Sequence, residues 1–494
     1  MKFIKSTLLS LITLFYFGTL SATTISSTTA GGEWSSTSTW NGGVIPGASD
    51  DVIINGTVYV YNHSCNNISI SSSGNLQNRT NYSVTINVFG NLANSGVVTY
   101  IAGNLYVNLY GDITNSGSYK PYSTTFKGAG SHTLSQSGSA YFEGRYLTED
   151  TTTSLVFGSF VEFRKAILDG YVHYNSVPYF AKIETNGNSS FFNECAIQDF
   201  RIESEDTINF DKSDLYLVHF YNHIKTDGDF SVYNNVYING DWTNLGTVSN
   251  RSGNSVTLQF NKQLVNYGTI TSNAGGGNLE IRTNGDIENH GVYNPKQTII
   301  PNGKNLILSQ SANSKFQGDF LLSDTGTSVT LTSNVTFGNS DIHGIFSSGK
   351  YSTFYTNGNK LSFDSCTLWL LAFEGDKDTI YGGDSYFRVL SILDDLVLDG
   401  IFSIGSKVYL KGNITNNGIL QNYFNGRYEL LIHSKMTNNG TVRNNPNGGV
   451  FEISLSTDLH NNGVYYPTIT YIKEGRNSNL SQSANSKFQG DFLL

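Results

Sequence analysis

Charged residues, proline and cysteine are scarce in this 494-residue sequence, and each scarcity excludes a class of protein. Lys, Arg, Asp and Glu make up 14% of the residues and the net charge is −9. A nucleic-acid-binding protein needs positive charge to neutralise phosphates, so nucleic acid is excluded as a partner. No apolar run after residue 22 reaches the roughly 18 residues of a membrane-spanning helix, so no membrane span is expected in the mature chain.

Only three cysteines occur, Cys65, Cys195 and Cys366. In an exported chain an odd number fits a free thiol or an intermolecular bridge. Cys195 and Cys366 hold equivalent places in two copies of a long repeat, about eight turns or about 38 Å apart at the spacing of neighbouring strands. A disulfide needs Cα atoms within about 7 Å, so we expect buried structural thiols.

Aromatic residues and glycine are abundant. The sequence has 30 Tyr, 30 Phe and 51 Gly against 7 Pro. Aromatic and β-branched residues favour strands, whereas Gly and Asn favour tight turns. The composition therefore indicates an all-β protein.

The strongest pattern is a long internal repeat. The stretch from Gly240 to Leu322 aligns without a gap with Gly412 to Leu494, 172 positions later, and its closing sequence, LSQSANSKFQGDFLL, is identical in both. A shorter unit recurs inside it as GDWTNLGTV, KQLVNYGTI and GDIENHGVY, with a period of 22 or 23 positions. Such a period is typical of a solenoid, in which each turn buries its apolar face against its neighbours.

The period also selects the kind of solenoid. Left-handed hexapeptide β-helices need about 18 residues per turn, and the leucine-rich-repeat consensus is absent. We therefore predict an all-β fold, a right-handed parallel β-helix with about 22 residues per coil and an N-terminal cap. About 20 coils would extend over roughly 95 Å. A monomer is expected.

The repeat and the flanking sequence divide the chain into five parts. Residues 1–22 have the pattern of a secretory signal peptide, so a secreted or cell-surface protein is expected. Residues 23–61 are predicted to be the cap, residues 62–239 a diverged first copy of the long repeat, residues 240–411 the second copy and residues 412–494 the third. The third copy stops at Leu494, whereas the second continues from the equivalent Leu322 to Lys411. We therefore expect a fragment, and a catalytic or sorting domain after Leu494 is left open.

The cap segment carries a family resemblance. Its sequence GEWSSTSTWNGGVIPGASDDVII combines Trp34 and Trp40 with a Gly- and Pro-containing turn and an apolar strand. Along this stretch the pattern resembles the opening of many secreted parallel β-helix proteins of Bacteroidota-type bacteria. It is also similar to the start of the extracellular domain named for its eight glycines. The resemblance implies an exported surface or matrix protein, often delivered by the type IX secretion system, although the sorting domain of such proteins is not found up to Leu494.

Each turn of the repeat pairs an asparagine with a glycine two residues later. Stacked asparagines can join their amides into a ladder, and both residue types tolerate the positive φ of a tight corner. We predict a structural ladder here, with N-glycosylation of the NIT and NGT sequences as the alternative. The ladder residues are Asn244, Gly246, Asn266, Gly268, Asn289, Gly291, Asn416, Gly418, Asn438, Gly440, Asn461 and Gly463.

Two groups of charged residues are candidates for chemistry. Glu162, Arg164, Lys165 and Asp169 combine acidic and basic side chains in VEFRKAILDG, as the sites of pectate-lyase-like β-helix enzymes do, and they have no counterpart in the second copy. Two corresponding acidic loops are candidates for calcium, with solvated surface loops as the alternative. Their residues are Glu203, Glu205, Asp206, Glu374, Asp376 and Asp378.

Metal and nucleophile motifs are otherwise absent. His219 and His223 have the spacing of a helical zinc pair, but on a strand four residues span about 13 Å, too far for one metal. No cofactor is implied. The regions between the regular coils, from about 145 to 239 and from 319 to 411, are expected to have irregular corners with longer loops that would carry any binding.

Two functions remain open. Near-exact repetition favours a non-enzymatic, exported surface or matrix β-helix with a structural or adhesive role. An aromatic face such as Tyr171, Tyr174, Tyr179 and Phe180 could add binding of a polysaccharide or surface glycan. The alternative is a polysaccharide lyase or glycoside hydrolase, which outward Asp, Lys and Arg converging on adjacent coils would favour.

Overall fold

The computed structural model describes residues 23–79, 81–170, 172–173, 179–185, 188–203, 207–348, 350–374, 378–392, 395–473 and 478–494. These residues form an all-β, parallel-strand solenoid of about 19 turns with about 22 residues per turn, which confirms the predicted β-helix. Within the described ranges the one helical segment is a 3-10 helix, Thr37–Thr39, and no helix is long and apolar enough to cross a membrane. The chain divides into two compact units, Met1–Tyr122 and Ser123–Leu494.

The first unit has short strands. They are β1 (Thr24–Ser26), β2 (Gly32–Glu33), β3 (Asp51–Ile54), β4 (Thr57–Val60), β5 (His63–Cys65), β6 (Ile68–Ile70), β7 (Asn75–Asn78), β8 (Val84–Val88), β9 (Leu92–Asn94), β10 (Val97–Thr99), β11 (Leu105–Leu109), β12 (Ile113–Asn115) and β13 (Ser118–Tyr119).

The second unit begins with the rest of the first copy of the repeat, where several strands are longer. They are β14 (Ser123–Phe126), β15 (Gly130–Gln136), β16 (Tyr141–Thr148), β17 (Thr153–Phe157), β18 (Val161–Asp169), β19 (Val172–His173), β20 (Tyr179–Glu184), β21 (Ser190–Asn193), β22 (Ala196–Glu203), β23 (Thr207–Tyr221), β24 (Ile224–Val232) and β25 (Val236–Ile238).

The second copy of the repeat starts with regular three-strand turns. Its strands are β26 (Trp242–Asn244), β27 (Thr247–Asn250), β28 (Val256–Phe260), β29 (Leu264–Asn266), β30 (Thr269–Thr271), β31 (Leu279–Thr283), β32 (Ile287–Asn289), β33 (Val292–Asn294), β34 (Gln297–Ile300), β35 (Asn305–Gln310), β36 (Lys315–Gln317), β37 (Asp319–Leu322), β38 (Ser328–Leu331), β39 (Val335–Gly338), β40 (Asp341–His343), β41 (Phe346–Ser347), β42 (Lys350–Tyr355), β43 (Leu361–Asp364), β44 (Thr367–Glu374), β45 (Asp378–Ile392), β46 (Leu396–Ile404) and β47 (Val408–Leu410).

The third copy repeats the regular turns. Its strands are β48 (Ile414–Asn416), β49 (Ile419–Asn422), β50 (Arg427–Ile432), β51 (Met436–Asn438), β52 (Thr441–Arg443), β53 (Val450–Leu455), β54 (Leu459–Asn461), β55 (Val464–Tyr466), β56 (Ile469–Ile472), β57 (Leu480–Gln482), β58 (Lys487–Phe488) and β59 (Asp491–Leu493).

Strands pair in parallel with the strand one turn later, so the pairing register measures the length of a turn. In the regular region Trp242 pairs with Leu264, 22 positions later, and Leu264 pairs with Ile287, 23 positions later. Inward residues alternate with outward ones, and Leu258 and Phe260 of β28 are fully buried. The equivalent strand β50 buries Leu430 and Ile432 but leaves Tyr428 half-buried.

The regions between the regular turns include turns that are shorter than the regular ones, although longer loops were expected. Ala196 pairs with Asp214 and Ile224 with Trp242, and both pairs are 18 positions apart. These turns are shorter because a single residue with positive φ forms a corner, such as Asp199 at 57° and Leu217 at 33°. The sequence does not reveal these corners because few of them are Gly or Asn.

Antiparallel pairing occurs in a hairpin of each of the first two copies. β19 pairs with β20, and β41 pairs with β42, where Phe346 lies opposite Tyr351. The expectation of extra loop length therefore holds at these two hairpins.

Phenylalanines stack along the interior of the short turns. The rings of Phe163 and Phe192 are 5.5 Å apart and parallel, those of Phe192 and Phe210 are 5.6 Å apart, and Phe230 follows at 5.0 Å. All four side chains are buried. Packing in the core therefore explains much of the high phenylalanine content.

In the first unit the N-terminal segment buries both of its tryptophans. Trp34 and Trp40 pack edge to face at 5.0 Å, and Trp40 Nε1 donates a hydrogen bond to the carbonyl oxygen of Trp34. The imidazole of His63 stacks on Trp34 at 5.3 Å. Strands β1 and β2 of this segment pair with β3 and β4, so the segment continues the parallel ladder of its unit.

The ladder asparagines of the N-x-G sequences are buried and hydrogen-bonded from turn to turn. Asn244 Nδ2 donates to Asn266 Oδ1 at 2.8 Å, and Asn266 Nδ2 donates to Asn289 Oδ1 at 2.9 Å. In the third copy Asn416, Asn438 and Asn461 form the same chain, with distances of 2.7 and 2.8 Å. These bonds satisfy buried amides that would otherwise cost free energy.

The two ladders begin differently. In the second copy Thr226 Oγ1 donates to Asn244 Oδ1 at 3.2 Å and accepts from Trp242 Nε1 at 2.9 Å. In the third copy Leu398 pairs with Asn416 where Thr226 pairs with Asn244, and Ile414 replaces Trp242. Asn416 Oδ1 is therefore buried without a hydrogen-bond partner.

An apolar cavity of about 10 Å³ lies where the ladder of the third copy begins. Its lining includes Leu398 and Ile414, and also Ile392, which replaces Phe220 of the preceding copy. The exchanges of Phe220 for Ile392 and of Trp242 for Ile414 reduce the side-chain volume, which explains the gap.

The glycines of the N-x-G sequences are needed for close approach of the backbones rather than for positive φ. A Cβ on Gly268 would lie 2.1 Å from the carbonyl oxygen of Gly246, and a Cβ on Gly440 would lie 2.1 Å from that of Gly418. None of the six ladder glycines has φ in the positive range, so the expected reason was wrong for them. Positive φ occurs instead at Gly228 and Gly400, which begin the two glycine stacks.

The three cysteines are buried and free, as predicted. Burial raises the pKa of Cys65 and of Cys195 to about 12, and that of Cys366 to about 11. These thiols are therefore protonated and unreactive at neutral pH.

We expect Gly268→Ala to destabilise the fold by about 1–3 kcal/mol or more, because the new methyl group would meet a backbone carbonyl. Gly326→Ala is the matched control, since its Cβ would lie 3.5 Å from Asp324 Oδ1. Urea unfolding followed by circular dichroism measures both. Equal midpoints for the two variants would contradict the close-approach argument.

We expect Leu398→Thr and Ile414→Trp to couple favourably. Together they restore the bonds that Thr226 makes in the second copy, so the double variant should cost about 1 kcal/mol less than the sum of the single variants. A double-mutant cycle of unfolding free energies measures this coupling. Strict additivity would show that the orphaned Asn416 oxygen has no energetic consequence.

Candidate functional site

The sequence-predicted catalytic residues fall into separate ion pairs. Arg164 Nε donates to Glu162 Oε1, and the guanidinium carbon lies 4.1 Å from the centroid of the Tyr141 ring. The bond to Glu162 raises the pKa of Arg164. Both side chains are therefore fixed in place by each other.

Asp169 and Lys165 have other partners. Asp169 Oδ2 accepts from Arg145, and Asp169 Oδ1 accepts from Gln198 Nε2 at 2.6 Å. Lys165 lies at a corner with φ of 47°, and its Nζ is 4.0 Å from Glu194. Among the described residues, neither Asp169 nor Lys165 contacts Glu162. The four candidates therefore do not form one site.

The described residues include only some of the calcium candidates. Glu203 is paired with Arg201 at 2.6 Å, and Glu374 ends strand β44. Glu205, Asp206 and Asp376 lie outside the described residues, and the side chain of Asp378, which begins β45, is not described. Across the described ranges no group of three or more His, Cys, Asp or Glu could hold a metal ion.

The two histidines with zinc-like spacing are not a metal pair. His219 lies in β23, whereas His223 follows that strand and its Nδ1 is 2.8 Å from Asp241. His219 instead stacks on Tyr237 at 4.5 Å. The aromatic candidates Tyr171 and Tyr174 lie outside the described residues, and nothing is described of the side chains of Tyr179 and Phe180.

Charged and aromatic side chains do converge on one outward face of the second unit. Lys182, Arg201, His219 and Tyr237 are in direct register on four consecutive turns. Beside them Glu184, Glu203 and Tyr221 form a second row in register. We call these seven residues the basic-aromatic face.

Contacts within the basic-aromatic face hold its side chains in place. Lys182 is 2.9 Å from Glu184, and the guanidinium of Arg201 lies 3.8 Å from the centroid of Tyr221. Burial, with a smaller contribution from Arg201, lowers the pKa of His219 to about 4. His219 is therefore neutral at physiological pH, and the basic residues are balanced by acidic neighbours.

The basic-aromatic face is specific to the first copy. In the second copy the corresponding row in register consists of Thr353, Ala372, Ser391 and Tyr409. From this face the sequence had indicated only Glu203, for calcium, and His219, for a zinc pair that the strand spacing excluded. The alternation of charged and apolar residues in KIE and RIE was the available signal, but it also fits an ordinary solvated strand.

In the first unit, tyrosines occupy one corner on four consecutive turns. Tyr61, Tyr82, Tyr100 and Tyr122 follow strands β4, β7, β10 and β13, which pair with each other in that order. Tyr106 on β11 completes the group. We call these five residues the tyrosine column.

The tyrosine column presents aromatic rings to solvent. Tyr82, Tyr100 and Tyr122 are 54%, 43% and 41% exposed. Tyr61 contacts Tyr82 at 5.8 Å, and Tyr122 contacts Tyr100 at 6.0 Å and Tyr106 at 5.4 Å.

A buried asparagine shapes the corner that carries the column. Asn78 Nδ2 donates to the carbonyl oxygens of Tyr82 and Ala102, and Asn78 Oδ1 accepts from the backbone of Ile101. Asn250 and Asn422 follow Asn78 at successive intervals of 172 positions and make corresponding bonds at their own corners. Sequence analysis missed these three asparagines.

Comparison with protein-family models, with curated proteins and with solved structures gave no match.

We expect stability to fall as the pH falls from about 6.5 towards 4, in part because of His219. Its folded-state pKa is below its unfolded value, so the unfolded state binds the proton more readily in this window. His219→Gln should reduce the difference between the melting temperatures at pH 7.5 and pH 4.5. His223→Gln is the control for an exposed histidine, and an equal effect of both variants would remove His219 as the cause.

Proposed function

We propose that this protein is an exported, non-enzymatic β-helix of the cell surface or extracellular matrix, with a structural and adhesive role, and that its tyrosine column binds glycan. The observation behind this proposal is a set of tyrosines on consecutive turns whose rings form two contacting groups, Tyr61 with Tyr82 and Tyr122 with Tyr100 and Tyr106. Tyr82, Tyr100 and Tyr122 are exposed. Aromatic rings are large contact surfaces that lose little conformational entropy on binding, and their hydroxyl groups can form hydrogen bonds.

The exposure of the column supports binding rather than folding. Exposed aromatic side chains in a contiguous patch mark interaction surfaces, because burial in the core would otherwise be more favourable. The contacts within each of the two groups also limit the freedom of the rings, so little ordering is needed when a ligand lies across them.

The rest of the chain supports a structural role. Buried asparagine ladders and closely stacked glycines make each turn a rigid support for the next. A repeated frame can present several weak binding surfaces at once, and linked weak sites give high avidity. The signal-like residues 1–22 and the resemblance of the segment around Trp34 and Trp40 support the proposed export.

A second candidate function is cleavage of a polysaccharide, and one observation favours it. Glu184 and Glu203 are neighbours in register on the basic-aromatic face, beside Lys182, Arg201 and His219. Glycoside hydrolases place two carboxyl groups about 5–10 Å apart around the scissile bond. We rank this candidate second because both glutamates are already engaged in ion pairs with Lys182 and Arg201.

The test is a polysaccharide screen that follows both retention of the protein and release of reducing or unsaturated ends. We expect retention without release. Replacing Tyr82, Tyr100 and Tyr122 by Ser should weaken retention about tenfold or more, since each aromatic contact is worth about 0.5–1.5 kcal/mol. Tyr267→Ser is the matched control, because Tyr267 is 55% exposed on the second unit and lies outside the column.

The outcomes separate the two candidates. Release of ends that Glu184→Gln or Glu203→Gln abolishes would establish the enzyme and reject the adhesive proposal. Retention that the triple tyrosine variant leaves unchanged would reject the tyrosine column as the binding surface.

A further inference from the structure

A polar groove lies on the second unit at the corner equivalent to the tyrosine column. It has a volume of about 210 Å³. Ser272 and Asn339 follow strands β30 and β39 and Asn294 ends β33, at the same corner of their turns, with Lys296 and Asp319 beside them. Strands β30 and β33 pair with each other, as do β33 with β36 and β36 with β39, so the groove runs along consecutive turns.

Substitutions between copies explain why this groove is open. Ser272 replaces Tyr100 of the first copy, 172 positions earlier, so a large ring is absent from the groove. Gly318, with φ of 83°, borders it beneath Pro295, whose carbonyl oxygen lies where a Cβ would be. The lining of the groove therefore combines a glycine and a proline with polar side chains.

Unused hydrogen-bonding groups line the groove. The side-chain amides of Asn294 and Asn339 are exposed and make no hydrogen bond to any described residue. Lys296 Nζ lies 3.5 Å from Asp319 Oδ2, and Asp319 Oδ1 accepts from the backbone N–H of Asp341 at 3.2 Å. The aspartate is thus oriented while one of its oxygens has only a loose partner.

The corresponding corner of the third copy has different residues and contacts. Asn444 and Thr468 take the places of Ser272 and Lys296, and Thr468 Oγ1 donates to Asn444 Oδ1 at 2.8 Å. Tyr466 takes the place of Asn294. This side-chain bond has no counterpart in the second copy, where Ser272 Oγ accepts from the backbone N–H of Leu279 at 3.1 Å and Lys296 faces Asp319.

We propose that this groove binds one neutral sugar ring. Amide and lysine N–H groups can donate to ring and hydroxyl oxygens, and the Asp319 carboxylate can accept from two neighbouring hydroxyls. A carboxylated sugar would be repelled by Asp319. The volume suits one ring, since it is below the roughly 300 Å³ at which pockets for drug-sized ligands begin. The inference takes its ligand class from the proposed glycan-binding function but concerns a different surface.

The test is saturation-transfer NMR of the full chain with the methyl pyranosides of glucose, galactose, mannose and glucuronate. We expect saturation transfer to at least one of the three neutral sugars and less to the glucuronide. Asn294→Tyr introduces the residue type of position 466 and should fill the groove and abolish the signal. Asn339→Ala should weaken binding about 2–10-fold, as the loss of a hydrogen bond does.

Controls keep this inference separate from the proposed function. Asn425→Ala, at an exposed asparagine of the third copy, should leave the signal unchanged, and so should the triple tyrosine variant that weakens retention on polymers. Absence of transfer to every neutral sugar, a stronger signal with the glucuronide, or a signal that survives Asn294→Tyr in a folded protein would each overturn the proposed groove site. Loss of polymer retention alone would bear only on the tyrosine column.

Discussion

The stacking of one turn on the next is the constraint on which the structure depends. Each turn must place its backbone groups, and its buried amides, opposite those of its neighbours, since an unpaired buried polar group costs about 1–3 kcal/mol. The asparagine ladders meet this requirement with side chains, and the glycine stacks meet it by leaving room for a carbonyl of the preceding turn. The core can then tolerate exchanges such as Trp242 for Ile414, because the corners rather than the core side chains hold the turns in register.

Much of the fold could be predicted because the period and the alternation of apolar residues are direct consequences of stacking. The N-x-G sequences likewise indicated the ladder, because asparagines at equivalent positions of consecutive turns lie next to each other. The shorter turns were not predicted, because residues such as Lys165, Asp199 and Leu217 adopt positive φ at their corners. These residue types rarely adopt positive φ, so the sequence does not indicate such corners. The role of the ladder glycines was predicted wrongly for a related reason. A glycine in the sequence can mean that the backbone needs positive φ, or that a neighbouring backbone leaves no room for a Cβ, and the sequence does not distinguish these two causes.

The candidate sites were harder to predict than the β-helix fold. Glu162 and Asp169 are seven positions apart in sequence, yet a corner at Lys165 separates their surroundings and each has its own cation. In contrast, the basic-aromatic face brings together Lys182, Arg201, His219 and Tyr237, which are 18 or 19 positions apart. Residues that meet in a β-helix are one turn apart, so a site can be recognised only after the turn length is known. The tyrosine column shares this property, because its corner tyrosines are 18 to 22 positions apart and look unrelated in sequence.

The two points where one copy of the long repeat follows another are built alike. Ile224 pairs with Trp242 before the second copy and Leu396 with Ile414 before the third, both 18 positions apart, and Gly228 and Gly400 open their glycine stacks with positive φ. The repeated block therefore contains a whole number of turns. The last strands of one block pair with the first strands of the next block in the same register each time. Unequal recombination within the gene could add or remove a block without creating a new interface. Chain length could then evolve independently of the fold, while the duplicated surfaces diverge into different binding faces.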